Sequence, residues 1–300
     1  YDATYTFYAQ ATMPARVGNP MTIQETHSAY VLQMGMTSPV DESVVSLTPQ
    51  GVAVPSTGMT EVVHRMDSAP GGWLWAGADD GKVVVWNGAY WAQQQTPHRS
   101  PIADVFVRSD NDVWAVGEGG VFVHFNGLVW GDVKVPDALR TARWWAIDGA
   151  IQGWTWLVGD RGVWRVRGEL WEEVSLGGLS ASAVNDVHAL GPDLAWFVGR
   201  DGAIRRVANG VVTTYDLGGD DLFGIGGDSD DLWVVGERGR VAHYDGVDWF
   251  DYLPVTRQTL RAVTRSDDLV WAVGDAGSAV YFDGEAWEGL DPHDNVDLKG

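Results

Sequence analysis

Hydrophobic and polar positions follow one another in the same order about every 39 residues along this chain. Each copy has an apolar run of strand length led by Trp and closed by Gly, then a tight polar turn and a second short apolar strand. Asn-Gly or Asp-Gly usually follows, with another Trp three residues on. The leading Trp stands at Trp75, Trp114, Trp156, Trp196, Trp233 and Trp271, in steps of 39, 42, 40, 37 and 38. A period of this size marks stacked supersecondary units, none of which buries its faces alone.

The copy over 103–133 shows the grammar. Val105 and Val107 share one face of a strand, 109–112 is a polar turn, and 113–117 is a continuous apolar run, as expected of a strand covered on both faces. Glu118-Gly119-Gly120 makes a turn into a third strand over 121–125. Asn126-Gly127 then signals a hairpin, and Trp130 opens a fourth strand. Four antiparallel strands in about 40 residues make a propeller blade. The upstream stretch through Gly35, 44–47, Pro49-Gln50-Gly51 and 52–54 reads as a degenerate copy, since Gly35 precedes Gly77 by 42 residues. The expectation is an all-β propeller of seven four-stranded blades, with six as the alternative, closed by terminal strands. Residues 1–24 would hold a closure strand, 25–290 the propeller and 291–300 a tail.

Composition narrows the partners. A net charge of −21 makes an acidic, solvated shell and argues against nucleic acid, whose phosphates call for excess cation. No stretch is long and apolar enough for a membrane span. The chain has no Cys, which excludes disulfides, thiolate metal sites and a cysteine nucleophile. It opens at Tyr1 with neither initiator Met nor leader, as a mature or trimmed product would.

The run Asp112-Val113-Trp114-Ala115-Val116-Gly117, with its later Gly, aromatic and Asn-Gly-x-x-Trp, resembles bacterial extracellular propeller repeats related to the photosystem II assembly-factor propellers. It is also similar to the Asp-box of sialidases, but Asp245-Gly246 and Asp283-Gly284 are adjacent where the Asp-box has a residue between. The resemblance covers about residues 25–290. It implies a fold and carries over no catalytic residue, because propellers host enzymes, lectins and scaffolds alike.

Repetition separates scaffold from site, since a residue present in most copies serves the blade. The repeated Trp residues, His124 and His243 are therefore expected to pack, and the Asp pairs 110/112, 230/231 and 267/268 to form turns. Unrepeated features are the candidates for ligand binding. The chain has 17 Arg against 3 Lys, and Arg161, Arg200 and Arg238 fall in the same turn of successive copies. Guanidinium forks there suit carboxylate, sulfate or phosphate, with pairing to nearby Asp160, Glu169, Glu172, Glu173 or Glu237 as the plainer reading. Trp144 and Trp145 are adjacent in a first strand. One is expected to meet a neighbouring blade, while the other can lie nearer the channel, where a sugar ring could stack.

No triad with a nucleophile elbow, no His-Glu-x-x-His, no phosphate-cradling loop and no EF-hand is present, so no cofactor, metal or catalytic residue is assigned. Gly224-Ile225-Gly226-Gly227 precedes a turn and a strand, the wrong setting for a dinucleotide. The expected function is non-enzymatic binding or assembly at a cell or virion surface, with a protein or glycan partner. The alternatives are a carbohydrate-active hydrolase or lyase, and a lectin.

Overall fold

The structure, a computed structural model, describes residues 72–87, 89–254, 256–266 and 269–290, together with the strands Thr4–Ala11, His27–Met34, Val44–Thr48, Gly51–Ala53, Val63–Ser68 and Asp297–Lys299. Gly35, Pro49, Gln50, Gly88, Asp267 and Asp268, singled out from the sequence, lie outside the described residues.

The described residues form six four-stranded antiparallel sheets, each built from consecutive strands. They are blade 1 (63–95), blade 2 (102–132), blade 3 (144–174), blade 4 (184–216), blade 5 (222–251) and blade 6 (260–290). The expectation of seven four-stranded blades is therefore corrected to six. The amino-terminal segment read as a degenerate copy does not make a blade of that kind. Its strands His27–Met34, Val44–Thr48 and Gly51–Ala53 join Thr4–Ala11 in a five-stranded sheet, completed by Asp297–Lys299 running parallel to Thr4–Ala11. Blade 6 draws all four strands from 260–290, so no terminal strand pairs into it. Thr4–Ala11 instead lies against the first strands of blades 1 and 6.

The first strand of each blade faces the axis, and neighbouring first strands touch all the way from blade 1 to blade 6. The second strands are mostly buried, and Leu74–Ala78, Thr155–Gly159 and Leu269–Gly274 are so from end to end. This is why they read as unbroken apolar runs. The repeated Trp residues fill the seams. Trp156 meets Phe197 edge-on across the seam of blades 3 and 4, and Trp233 meets Trp287 across that of blades 5 and 6.

The Gly that closes the second strand has a separate cause. Gly199 and Gly274 are extended, so the requirement is space. A Cβ there would run into the Ala183 or Thr259 carbonyl at the start of the first strand. The same logic explains Gly224 and Gly226, whose missing side chains let blade 5 close on the carbonyls of Arg261 and Val263 in blade 6.

Candidate functional site

Each first strand carries one register irregularity near its start, as between Trp144 and Ala146, Val184 and Asp186, and Leu222 and Gly224. A bulge of this kind adds one unpaired residue and re-aims its neighbours. Beyond it, two tiers of residues occupy equivalent positions around the ring. The first tier is Arg65, Asp104, Ala146, Asp186, Gly224 and Ala262. The second stands opposite the repeated Trp and is Asp67, Phe106, Asp148, His188, Gly226 and Thr264. Most of them line a cavity of about 300 Å³ at the centre of the ring, which is charged all round, since Asp228, Arg261 and Arg265 line it on the side of blades 5 and 6. Phe106 and Ala146 pack instead into the seams on either side of blade 3.

The carboxylates of this cavity act as stitches between blades. Asp67 Oδ2 accepts from the Val107 N–H (2.7 Å), Asp104 Oδ2 from Ile147 (2.9 Å), Asp148 Oδ2 from Ala189 (2.8 Å) and Asp186 Oδ2 from Ile225 (3.2 Å). In every case the donor belongs to the first strand of the next blade. The other oxygens are engaged too. Oδ1 of Asp67, Asp104 and Asp148 accepts from the next residue's N–H at 2.7–2.9 Å, and Asp186 Oδ1 accepts from Arg65.

Two cations complete the network. Arg65 reaches from blade 1 across the axis to Asp186 and donates to the Asn185 carbonyl (3.3 Å) in blade 4, with Asp104 of blade 2 at 3.6 Å. His188 links Asp148 (3.1 Å) in blade 3 to the Gly227 carbonyl (2.9 Å) in blade 5.

Enclosure moves the titrations. Burial pushes the Asp67 carboxyl up to about 7, with the Asp148 charge adding to it, and the Asp104 carboxyl up to about 8 against the opposing pull of Arg65. For His188 burial disfavours the charged ring, but the hydrogen bond and charge of Asp148 outweigh it and raise the ring to about 9.

All three folded values lie above the ordinary ones, so the folded chain holds protons that the unfolded chain has already released. The stability these groups contribute is complete at low pH. It falls for Asp67 and Asp104 as pH rises from about 4 through 7–8, and for His188 from about 6.5 to 9. Chemical denaturation at pH 5 and pH 9 should therefore differ by several kcal/mol in favour of the acidic side. A flat profile, or greater stability at pH 9, would contradict the assignment.

None of the five residues singled out from the sequence lines this cavity. Trp144 is completely buried among Val116, Phe122 and Leu139 between blades 2 and 3, which leaves no ring face for a sugar. Trp145 is the bulge residue. It packs toward blade 4 and donates Nε1–H to the Val184 carbonyl (3.1 Å), as Asn185 in the same position donates to Leu222 (2.7 Å). Both Trp therefore belong to seams, and neither lies nearer the channel.

Arg161, Arg200 and Arg238 are exposed in the second-to-third strand turns, but at different positions. Arg200 opens its turn, whereas Arg238 is the middle residue of the next, at φ 55. Arg238 pairs with Asp220, while the side chains of Arg161 and Arg200 have no partner among the described residues. The nearby arginines are committed internally, Arg165 to Glu172 (2.5 Å) and Asp193 (3.4 Å), and Arg205 to the Leu176 carbonyl (3.2 Å).

Two of the Asp positions read as turn formers do more. Asp112 Oδ1 accepts from Trp114 Nε1 and lies against His124 Nε2, both at 2.8 Å. Asp231 repeats the arrangement with Trp233 (2.9 Å) and His243 (2.8 Å). Each His stacks on its Trp, at 4.3 and 4.1 Å, so both histidines pack within the blade. Among the described residues no group of His, Cys, Asp or Glu is arranged to hold a metal ion, and no helix is long and apolar enough to cross a membrane.

No protein-family model and no curated protein matches the chain. Solved structures do resemble it. One is catalytically inactive virginiamycin B lyase from Staphylococcus aureus with quinupristin, at TM-score 0.65 and 14% identity over 77% of this chain and 84% of that one. Another is YCF48 from Cyanidioschyzon merolae, at 0.61 and 15% over 77% and 85%. A third is a chain of a mitotic checkpoint complex, at 0.66 and 11% over 94% and 96%. The shared fold is the β-propeller. At such identities the likeness extends to fold alone, and it covers both lyases and binding proteins.

Proposed function

We propose that this chain is a non-catalytic propeller that binds a protein partner on its outer surface, as part of an assembly at a cell or virion surface. The observation that carries the reading is the commitment of the channel carboxylates. All eight oxygens of Asp67, Asp104, Asp148 and Asp186 accept hydrogen bonds from backbone N–H groups or from Arg65. A general acid or base has to exchange its proton with substrate, and these groups already hold the ring together.

Recognition then falls to loops on a stiff scaffold. Arg161 and Arg200 are exposed and unpaired among the described residues, and with Arg238 they would meet carboxylates of the partner. Support comes from YCF48 bound to D1 peptide, a propeller of the same fold at TM-score 0.55 and 17% identity over 68% of this chain and 71% of that one. The acidic shell suits a surface setting. A glycan partner with acidic groups would use the same arginines.

A second reading, a carbohydrate-active hydrolase or lyase, is favoured by one observation. Asp67 and Asp104 titrate near neutrality in a central cavity, as acid–base groups do.

Selection of a random peptide library on the immobilised protein separates the two. Acidic peptides should be enriched, and Arg161→Ala with Arg200→Ala should weaken their binding about tenfold or more at unchanged melting temperature. Binding indifferent to these arginines, together with turnover of a polysaccharide panel that Asp104→Asn abolishes, would replace the first reading by the second.

A further inference from the structure

The chain has three Asn-Gly steps, at 87–88, 126–127 and 209–210, and their asparagines are held in two different ways. Asn87 Oδ1 accepts from the N–H groups of Ala89 (3.0 Å) and Tyr90 (3.1 Å), and Asn126 Oδ1 from those of Leu128 and Val129 (both 3.0 Å). Asp245 and Asp283 make the same pair of contacts in blades 5 and 6, at 2.8–2.9 Å. Asn209 does not. It sits with Gly210 in a two-residue turn between the paired residues Ala208 and Val211, at φ 50 and φ 77. Its backbone N–H donates to the Asp193 carbonyl (3.0 Å), while its side-chain amide has no partner among the described residues. Both residues are exposed, and the space beside Gly210 is open.

We propose that Asn209 is a site of spontaneous covalent modification, deamidating through Gly210, and that the turns around Asn87 and Asn126 protect those residues. The Gly210 nitrogen attacks Asn209 Cγ and a C–N bond forms. The Cγ–Nδ2 bond breaks, and Nδ2 leaves as ammonia with the proton from the glycine nitrogen. Water then opens the five-membered imide. Cleavage of the nitrogen's bond to Cγ gives aspartate, and cleavage of its bond to the main-chain carbonyl carbon gives isoaspartate. Nothing is oxidised or reduced.

Gly is the residue that permits the attack, since no side chain crowds its nitrogen. At Asn87 and Asn126 two hydrogen bonds must break before Cγ can turn toward the glycine, whereas at Asn209 none must. The products differ as well. Aspartate at 87 or 126 reproduces what blades 5 and 6 already use. Isoaspartate at 209 lengthens the backbone of a two-residue turn that sets the register of Ala208 against Val211, and so unsettles the outer strand Val211–Asp216.

The test is peptide mapping by mass spectrometry after incubating the folded protein in mildly alkaline buffer, with isoaspartyl methyltransferase labelling to detect isoaspartate. Asn209 should convert about thirtyfold faster than Asn87 and Asn126, the rate equivalent of two neutral hydrogen bonds. In denaturant the three sites should converge to similar rates. The proposal is overturned if Asn87 or Asn126 keeps pace with Asn209 in the folded protein, if none converts, or if the lead of Asn209 persists in denaturant.

Discussion

Replacing Arg65 by methionine should destabilise the protein by about 3–5 kcal/mol at neutral pH, because the change removes one partner of an enclosed ion pair and leaves the other uncompensated. Arg65 is the side chain that crosses the axis. Without it, Asp186 keeps only the Ile225 N–H, and Asp104 loses the cation that opposes its protonation. The penalty should be smaller at pH 5, where Asp104 is protonated, and should grow toward pH 9, where Arg65 faces an ionised Asp104 in the parent protein. Chemical denaturation at the two pH values reads both effects. A loss below about 1 kcal/mol, the worth of an exposed pair, would mean that the guanidinium does not bridge blades 1 and 4.

Trp144→Ala should cost about 3–5 kcal/mol, the range for a large aromatic removed from a closed interior. Trp145→Phe, which keeps most of the ring and loses the bond to the Val184 carbonyl, should cost nearer 1 kcal/mol. The contrast follows from placement, since Trp144 is sealed in the seam of blades 2 and 3 while Trp145 is only partly covered. A near-zero cost for Trp144→Ala, measured by thermal and urea unfolding, would put that ring on a surface and reopen it as a ligand platform.

The blade itself was legible because its physics repeats. The Trp of each second strand, the Gly that ends it, and the Asn-Gly or Asp-Gly turn recur wherever the same seam, carbonyl or hairpin recurs, so counting copies located six sheets. The count failed at the amino terminus. A stretch with the right spacing, anchored on Gly35 and Gly51, suggested a further copy, but spacing does not say which strands pair. The segment joins a strand from the far end of the chain in a five-stranded sheet.

The channel was not legible. Its charged lining differs from blade to blade, with Arg65 and Asp67 from blade 1, Asp104 from blade 2, Asp148 from blade 3, and Asp186 and His188 from blade 4. These residues align only once the bulge in each first strand is known. One signal was present: Asp67, Asp104, Asp148 and Asp186 each stand beside an apolar residue within a first strand, where a carboxylate that becomes buried needs a partner. Searching for unrepeated arginines led instead to the outer turns. There Arg200 directly follows Gly199 whereas Glu237 stands between Gly236 and Arg238, an offset of one position that the sequence already carries and the backbone angles bear out.

Amide hydrogen exchange on Asp104→Ala tests most directly whether the channel carboxylates fasten each blade to the next. The Ile147 N–H, which donates to Asp104 Oδ2, should be strongly protected in the parent protein and should lose most of that protection in the variant, with Val107 and Ala189 unaffected. An Ile147 amide that exchanges equally slowly in both proteins would contradict the account, and would return Asp104 to the list of groups free to act on a ligand.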